Sequence, residues 1–260
     1  MKIGFFDSGI GGLTVLHRAF GALPNEEFLY YADEDNVPYG EKSRAEIMEL
    51  SDRAAEFLIE KGAKIIVIAC NTATSAAVAS LRERYSVPFI GMEPAVKPAI
   101  ENADGKRVLV TATPLTIREE KLRNLIGKYD KYGIVDLLPL PRLVGFAERL
   151  EFESDAVRAY LAERLGQFDA AQYGQIVLGC THFNYFKDLF RDILPPHAKV
   201  IDGVNGTIKR LISVMGEKDM FEQGGESRVD YYVSGRDAND GESLKRFEKL
   251  HRRLELMETI

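Results

Sequence analysis

Short apolar runs alternate with longer amphipathic stretches along the whole chain. Apolar runs of this length predict strands buried on both faces, and these lie at 3–7, 27–31, 64–69, 87–91, 107–111, 134–138, 175–178 and 230–235. Helices are expected between them, after residue 12, over 43–61, 71–85, 115–128 and 154–166, before Leu194, and in the charged C-terminal stretch. Strands that alternate with helices indicate parallel sheets covered by helices. The expected fold class is therefore α/β.

The two halves of the chain resemble each other weakly. Each has an early apolar strand, IGFF or VLVT, and a later strand followed by a small residue, a cysteine and two polar residues, ACNT at 69–72 and GCTH at 179–182. This repetition predicts two similar α/β domains with one cysteine each. We expect residues 1–94 and 207–260 to form the first domain, because the strand-like 230–235 returns to it. Residues 95–206 would form the second.

Composition narrows the class of protein. Of the 260 residues, 45% are hydrophobic and 28% are charged, as in an ordinary soluble protein with a sizeable core. The net charge of −6 gives no basic surface for nucleic acid or anionic lipid. The N-terminal MKIGFFDSGIGG lacks the apolar segment of a signal peptide, and no apolar run approaches the length of a membrane span. We expect a cytoplasmic location.

The two cysteines, Cys70 and Cys180, carry most of the chemical information. Each follows a predicted strand at its carboxyl end, where sites form in open α/β sheets, and each precedes a helix whose N-terminus favours a thiolate. They do not form a CxxC pair, so the spacing supports neither a zinc site nor a thioredoxin-like site. Asp7, at the end of the first strand, and His182 can orient groups or relay protons.

Two thiols in matching places suit inversion at an acidic C–H centre. One group would remove the proton from one face, and the other would return a proton from the opposite face. The alternative is a pair of ordinary core cysteines, the common fate of free cysteine. A nucleotide-binding role for SGIGG at 8–12 is disfavoured, because Thr14 stands where GxGxxG needs its third glycine and no GKS/T follows.

Four segments resemble the signature segments of bacterial glutamate racemases. They are IGFFDSGIGGLTVL at 3–16, PYGEKS at 38–43, ACNTAT at 69–74 and VLGCTH at 177–182. They occur in the family's order, and the resemblance extends over essentially the whole chain. It implies two α/β domains with the active site in the cleft between them, and interconversion of L- and D-glutamate without pyridoxal phosphate, another cofactor or a metal. It further implies D-glutamate supply for peptidoglycan, and it suggests a homodimer.

The resemblance also assigns roles to residues. Cys70 would be the base that acts on D-glutamate and Cys180 the base that acts on L-glutamate, with Asp7 assisting Cys70 and His182 assisting Cys180. Glu148, in PRLVGFAE, aligns with a family glutamate near the second cysteine. The implied substrate-binding positions are Asp7, Ser8, Pro38, Tyr39, Gly40, Asn71, Thr72, Thr113, Thr116, Thr181 and His182.

Three stretches depart from the family pattern. They are ADEDNV at 32–37, Asn184 where a proline is common, and LVGFAE at 143–148. All three leave the thiols untouched but alter the expected wall of the second domain, which bears on specificity. Two alternatives therefore stay open: a racemase of the same fold acting on aspartate or another amino acid, and a catalytically silent amino-acid-binding or interaction protein.

Overall fold

In the computed structural model, which describes residues 1–259 and their side chains up to residue 257, ten strands form two sheets. The strands are β1 (Lys2–Asp7), β2 (Glu27–Ala32), β3 (Ala63–Ile68), β4 (Phe89–Gly91), β5 (Arg107–Ala112), β6 (Val135–Pro139), β7 (Tyr173–Leu178), β8 (Lys199–Asp202), β9 (Arg228–Val233) and β10 (Arg236–Asp237). The first sheet has the order β10-β9-β2-β1-β3-β4, and the second has the order β6-β5-β7-β8. Within these sheets only the β9–β10 pair is antiparallel. The predicted α/β class with parallel-rich sheets is confirmed.

Helices follow most of the strands. They are α1 (Leu13–Ala22), α2 (Arg44–Glu60), α3 (Asn71–Arg84), α4 (Val96–Glu101), α5 (Pro114–Arg118), α6 (Glu120–Tyr129), α7 (Pro141–Glu148), α8 (Asp155–Leu165), α9 (Lys187–Ile193), α10 (Val204–Glu217) and α11 (Gly241–Thr259). Short 3₁₀ turns lie at Glu34–Asn36, Tyr39–Glu41, Ala170–Gln172 and Thr181–Phe186. None of the helices in the described part of the chain is long and apolar enough to cross a membrane.

The chain passes from the first sheet to the second after β4 and returns after β8. We call the first sheet with its flanking helices the first unit, and the second sheet with its helices the second unit. Strand β9 pairs in parallel with β2 of the first unit, and α10 packs against α1. The first unit therefore takes strands from both ends of the chain. The boundaries at 94/95 and 206/207 stay a prediction.

Strand adjacency determines which loops meet. In the first sheet β1 is hydrogen-bonded to β3, so the segment after Asp7 lies beside the segment after Ile68. In the second sheet β5 is hydrogen-bonded to β7, which brings the ends of these two strands together. All four strand ends are carboxyl ends of parallel strands, where ligand sites form in such sheets.

The expected single helix over 115–128 is wrong. The helix is broken at Glu119, whose backbone is extended (φ −67°, ψ 138°), so it ends α5 and begins α6. The buried Glu119 side chain accepts a hydrogen bond from Arg44 of the first unit at 2.8 Å. This long-range ion pair accompanies a break that local helix propensity does not predict. The sequence pattern did not predict helices α4, α7 and α10 or strands β8 and β10.

Candidate active site

Cys70 occupies the second position after β3 and caps helix α3. Its Sγ accepts a hydrogen bond from the Ala73 N–H at 3.4 Å, and its thiol faces the Ser8 hydroxyl at 3.8 Å. Burial raises the pKa of the Cys70 thiol to about 12; the Asp7 charge adds to this rise, and the Ala73 N–H opposes it. The expectation that the helix N-terminus makes this thiol readily ionised is therefore wrong. The amide is present, but desolvation outweighs it.

Cys180 has a different set of neighbours. It precedes the 3₁₀ turn Thr181–Phe186, and its Sγ lies 3.9 Å from His182 Nδ1. The other ring nitrogen, Nε2, lies 2.6 Å from Glu148 Oε1. Burial lowers the pKa of His182. The hydrogen bonds and charges of Cys180 and Glu148 together outweigh burial, so the pKa lies well above the ordinary value of 6.5. An imidazolium that donates from both nitrogens fits this arrangement.

Asp7 joins the two units at the end of β1. Its carboxylate accepts hydrogen bonds from the Gly9 N–H at 3.0 Å and, across the interface, from the Thr181 hydroxyl at 3.1 Å. Burial raises the pKa of Asp7 from 3.8 to about 6, while the charge of His182 and these hydrogen bonds lower it. Because the same carboxylate raises the pKa of Cys70, it favours the protonated thiol on that side of the site.

The loop after β1 carries glycines where the second unit approaches its backbone. A Cβ atom on Gly11 would overlap the His182 ring and lie 2.6 Å from the Thr181 hydroxyl, and one on Gly9 would overlap the Glu148 carboxylate. The N–H of Ile10 donates to the same Glu148 Oε1 that contacts His182, at 3.0 Å. The glycines are needed for this close approach, since real Cβ atoms essentially never come within 3.0 Å of another heavy atom.

Three threonine hydroxyls form a second connection between the units. Thr72 Oγ1, in the first turn of α3, lies 3.1 Å from Thr113 Oγ1 and 3.1 Å from Thr116 Oγ1. The last two are 3.0 Å apart. A Cβ on Gly40 would meet the Thr113 side chain at 2.7 Å. These hydroxyls bond to one another, which suits a role in holding the units together. This role is additional to the substrate contacts expected from the sequence.

The remaining predicted site residues lie around Cys70. Tyr39 is buried in the same hydrophobic cluster as Cys70 and donates its hydroxyl to Asp33 at 2.6 Å. Burial, and then the charge of Asp33, raise the pKa of this hydroxyl. Pro38 is half-buried immediately before it. Asn71 is 3% exposed, and neither its side-chain oxygen nor its nitrogen has a hydrogen-bond partner among the described residues. A buried amide of this kind can bind a polar ligand.

Sequence reasoning missed the groups that support these side chains. Tyr30 donates its hydroxyl to the Gly9 carbonyl at 2.6 Å, and Tyr185 donates its own to the Ile10 carbonyl at 3.0 Å. Both are fully buried, and both fix the loop that receives Glu148. Their signal in the sequence is that of ordinary core aromatics, so no local pattern distinguishes them. Within the described residues, no three His, Cys, Asp or Glu side chains are gathered as metal ligands.

Comparison with known proteins identifies the family of this chain. Residues 15–211 match the Asp/Glu/hydantoin racemase family, and the chain belongs to that family. Two similar relatives are glutamate racemases: that of Campylobacter concisus is 50% identical over 262 residues and that of Lachnospira eligens 48% identical over 265 residues. Each alignment covers 100% of both chains. The family recognised from the sequence motifs is confirmed.

A solved structure supports the same relationship at the level of the fold. The crystal structure of glutamate racemase from Francisella tularensis in complex with D-glutamate matches with a TM-score of 0.81 and 30% sequence identity. The match covers 98% of this chain and 93% of that one.

The glycine packing gives a first prediction. In Gly11→Ala the new methyl group must displace His182 or Thr181, so we expect racemase activity to fall at least about tenfold, because small misplacements of catalytic groups cost factors of this size. Gly21→Ala is the matched control: it lies in α1 with nothing within 4 Å of an added Cβ. It should keep full activity and gain roughly 0.5–1 kcal/mol in stability. Equal activity of the two variants would contradict the packing described here.

The raised pKa of Asp7 gives a second prediction. The folded state holds this proton more tightly than the unfolded chain, so stability is lost as pH rises from 3.8 to about 6. A rise of this size corresponds to about 3 kcal/mol. Urea unfolding of the wild type and Asp7→Asn should therefore show the variant gaining relative stability over that interval, with a constant difference above it. A difference that does not change with pH would exclude burial as the cause.

Proposed function

We propose that this protein is a glutamate racemase that works without a cofactor and uses Cys70 and Cys180 as opposed acid and base. The observation that carries the proposal is the contrast between the two thiols. Cys70 lies beside the Asp7 carboxylate and has a pKa of about 12, which favours the protonated acid. Cys180 lies 3.9 Å from a histidine whose raised pKa favours an imidazolium, which stabilises negative charge on the adjacent sulfur.

The reaction from L- to D-glutamate follows from this contrast. The Cys180 thiolate takes the α-proton, and the electron pair of the broken C–H bond stays on the α-carbon, delocalised into the carboxylate. The Cys70 thiol then donates its proton to the opposite face of the carbon and becomes a thiolate. The product is D-glutamate, and the protonation states of the two sulfurs are exchanged. D-glutamate reacts by the same steps in reverse.

Each assisting group has a defined task in this scheme. His182 stabilises the thiolate form of Cys180, and Glu148, bound to the ring at 2.6 Å, favours the doubly protonated imidazole. Asp7 favours the neutral thiol of Cys70 when that thiol is the acid. When D-glutamate is the substrate, Cys70 must lose its proton first, and an Asp7 with a pKa of about 6 is protonated in a useful fraction of molecules near neutrality. This removes the like charge that opposes the thiolate.

Substrate binding is proposed at the strand ends between the units. The unpartnered amide of Asn71 and the backbone N–H groups at the start of α3 suit a carboxylate, since helix N-termini bind anions. Ser8, Thr72 and Thr181 add buried hydroxyls. We propose glutamate as the substrate, because two relatives with 48% and 50% sequence identity to this chain are glutamate racemases.

The wider role is proposed from the resemblance to the family. We propose that the protein supplies D-glutamate for peptidoglycan and that it is located in the cytoplasm. We also propose a homodimer, from the resemblance to the family.

Deuterium incorporation tests the two-base mechanism directly. In deuterated water the thiol that delivers a proton has already exchanged with solvent, so the product enantiomer should carry deuterium from the first turnover. Substrate recovered early should stay largely undeuterated, because the abstracting thiol holds the substrate's own proton. Mass spectrometry of the separated enantiomers measures both. Early product that carries mainly the original proton would indicate a single base and would exclude the proposal.

Single cysteine variants provide the control. Cys70→Ala and Cys180→Ala should each abolish racemisation of glutamate measured by polarimetry, since inversion needs both partners. A parallel assay with L-aspartate on the wild type separates the glutamate enzyme from an aspartate racemase. Near-normal racemisation by either variant would contradict the assignment of that cysteine.

A further inference from the structure

The C-terminal helix α11 belongs to the first unit but contacts the segment of the second unit that carries His182. Helix α11 packs against both α1 and the 3₁₀ turn Thr181–Phe186. From this helix a single arginine, Arg253, reaches into the second unit. Its side chain is only 8% exposed, which is unusual for arginine unless its charge and N–H groups are paired.

The contacts of Arg253 are concentrated on the end of that turn. Its Nε and Nη2 donate to the Tyr185 carbonyl at 3.2 and 3.0 Å, and Nη2 also donates to Asp188 at 2.6 Å. Its Nη1 donates to Glu153 at 2.8 Å. The last carbonyls of a helical turn lack partners within the turn, and a 3₁₀ turn has poorer hydrogen-bond geometry than an α-helix. The guanidinium therefore supplies hydrogen-bond donors to a carbonyl near the end of this turn.

Tyr185 connects Arg253 to the candidate active site. Its carbonyl is held by Arg253, and its hydroxyl donates to the Ile10 carbonyl. The N–H of the same Ile10 donates to Glu148, which contacts His182. The turn that starts directly after Cys180 is thus fixed at its far end by Arg253 and at its start by the contacts of His182. Because the turn is only six residues long, a shift at one end displaces the other.

We propose that Arg253 is a positioning residue for the Cys180–His182 side of the active site. It acts from the first unit through Tyr185, and it does not touch the reacting atoms. The inference rests on the proposed function, since it assigns Arg253 to one of the two acid–base groups. Loss of the guanidinium would leave the buried Tyr185 carbonyl without these donors and let the 3₁₀ turn move, which separates His182 from the sulfur of Cys180.

Isotope effects distinguish this role from a general effect on folding. Arg253→Lys keeps the charge but loses the planar fork that holds one carbonyl and two carboxylates. We expect kcat to fall about 10- to 100-fold. Proton abstraction by Cys180 should become more rate-limiting, so the primary isotope effect should rise with L-[2-²H]glutamate. With D-[2-²H]glutamate it should fall, because reprotonation by Cys180 then limits the rate after abstraction by Cys70.

Two further variants complete the experiment. Arg252→Lys, at the exposed neighbouring position of α11, is the matched control and should leave rates and isotope effects unchanged. Asp188→Asn weakens one partner of Arg253 while keeping the guanidinium, and it should shift both isotope effects in the same directions by less. It reports on the inference even where Arg253→Lys folds poorly, because isotope effects are measured only on active molecules.

The possible results separate the two proposals. Opposite shifts of the two isotope effects support the role of Arg253. Unchanged isotope effects in Arg253→Lys and Asp188→Asn, or shifts that are equal for the two enantiomers, overturn it and leave the two-cysteine mechanism intact. If Cys180→Ala still racemises glutamate, the proposed function itself fails, whatever Arg253 does.

Discussion

The whole site depends on the close approach of the second unit to the backbone of the loop after β1. Glycines at 9 and 11 leave room for the Glu148 carboxylate and the His182 ring. Because of this room, the Ile10 N–H can donate a hydrogen bond to Glu148. The same carboxylate contacts the His182 ring. A side chain at either glycine would push the second unit away and disconnect the histidine from the first unit. The glycine-rich loop therefore serves interunit packing, although its sequence resembles that of a phosphate-binding loop.

The two thiols are equally buried but have opposite electrostatic neighbours. Both are 6% exposed, so their protonation depends on the groups beside them more than on solvent. Asp7 disfavours a second negative charge on Cys70, whereas a protonated His182 favours one on Cys180. Such contrasting neighbours suit the proposed reaction, in which a proton leaves one face of a carbon and another arrives at the opposite face. The chain achieves this contrast with neighbours only, since both cysteines occupy equivalent places after parallel strands.

Most of the framework can be predicted from the sequence because it depends on local pattern. Runs such as KIIVI indicate buried strands, and a cysteine that follows such a run lies at the carboxyl edge of a sheet. The break at Glu119 and the high pKa of Cys70 could not be predicted in this way. Both arise from contacts between residues far apart in the chain: Arg44 with Glu119, and the burial of Cys70 beside Asp7. The same holds for Arg253, whose partners lie 65 to 100 positions away.

Some of the contacts around the proposed acid–base groups cross from one unit to the other. Thr181 bonds to Asp7, Ile10 to Glu148 and Thr72 to Thr113, and each pair has one member in each unit. Asp7, Cys70, Cys180 and His182 are all at most 6% exposed, so water has little access to them while the units are in contact. Separation of the units would break the bonds from Thr181 to Asp7 and from Ile10 to Glu148, whereas the contacts of His182 with Glu148 and Cys180 lie within the second unit. Contact between the units therefore completes the surroundings of Asp7, and the exclusion of water from this site suits the proposed reaction, in which a carbon briefly carries negative charge.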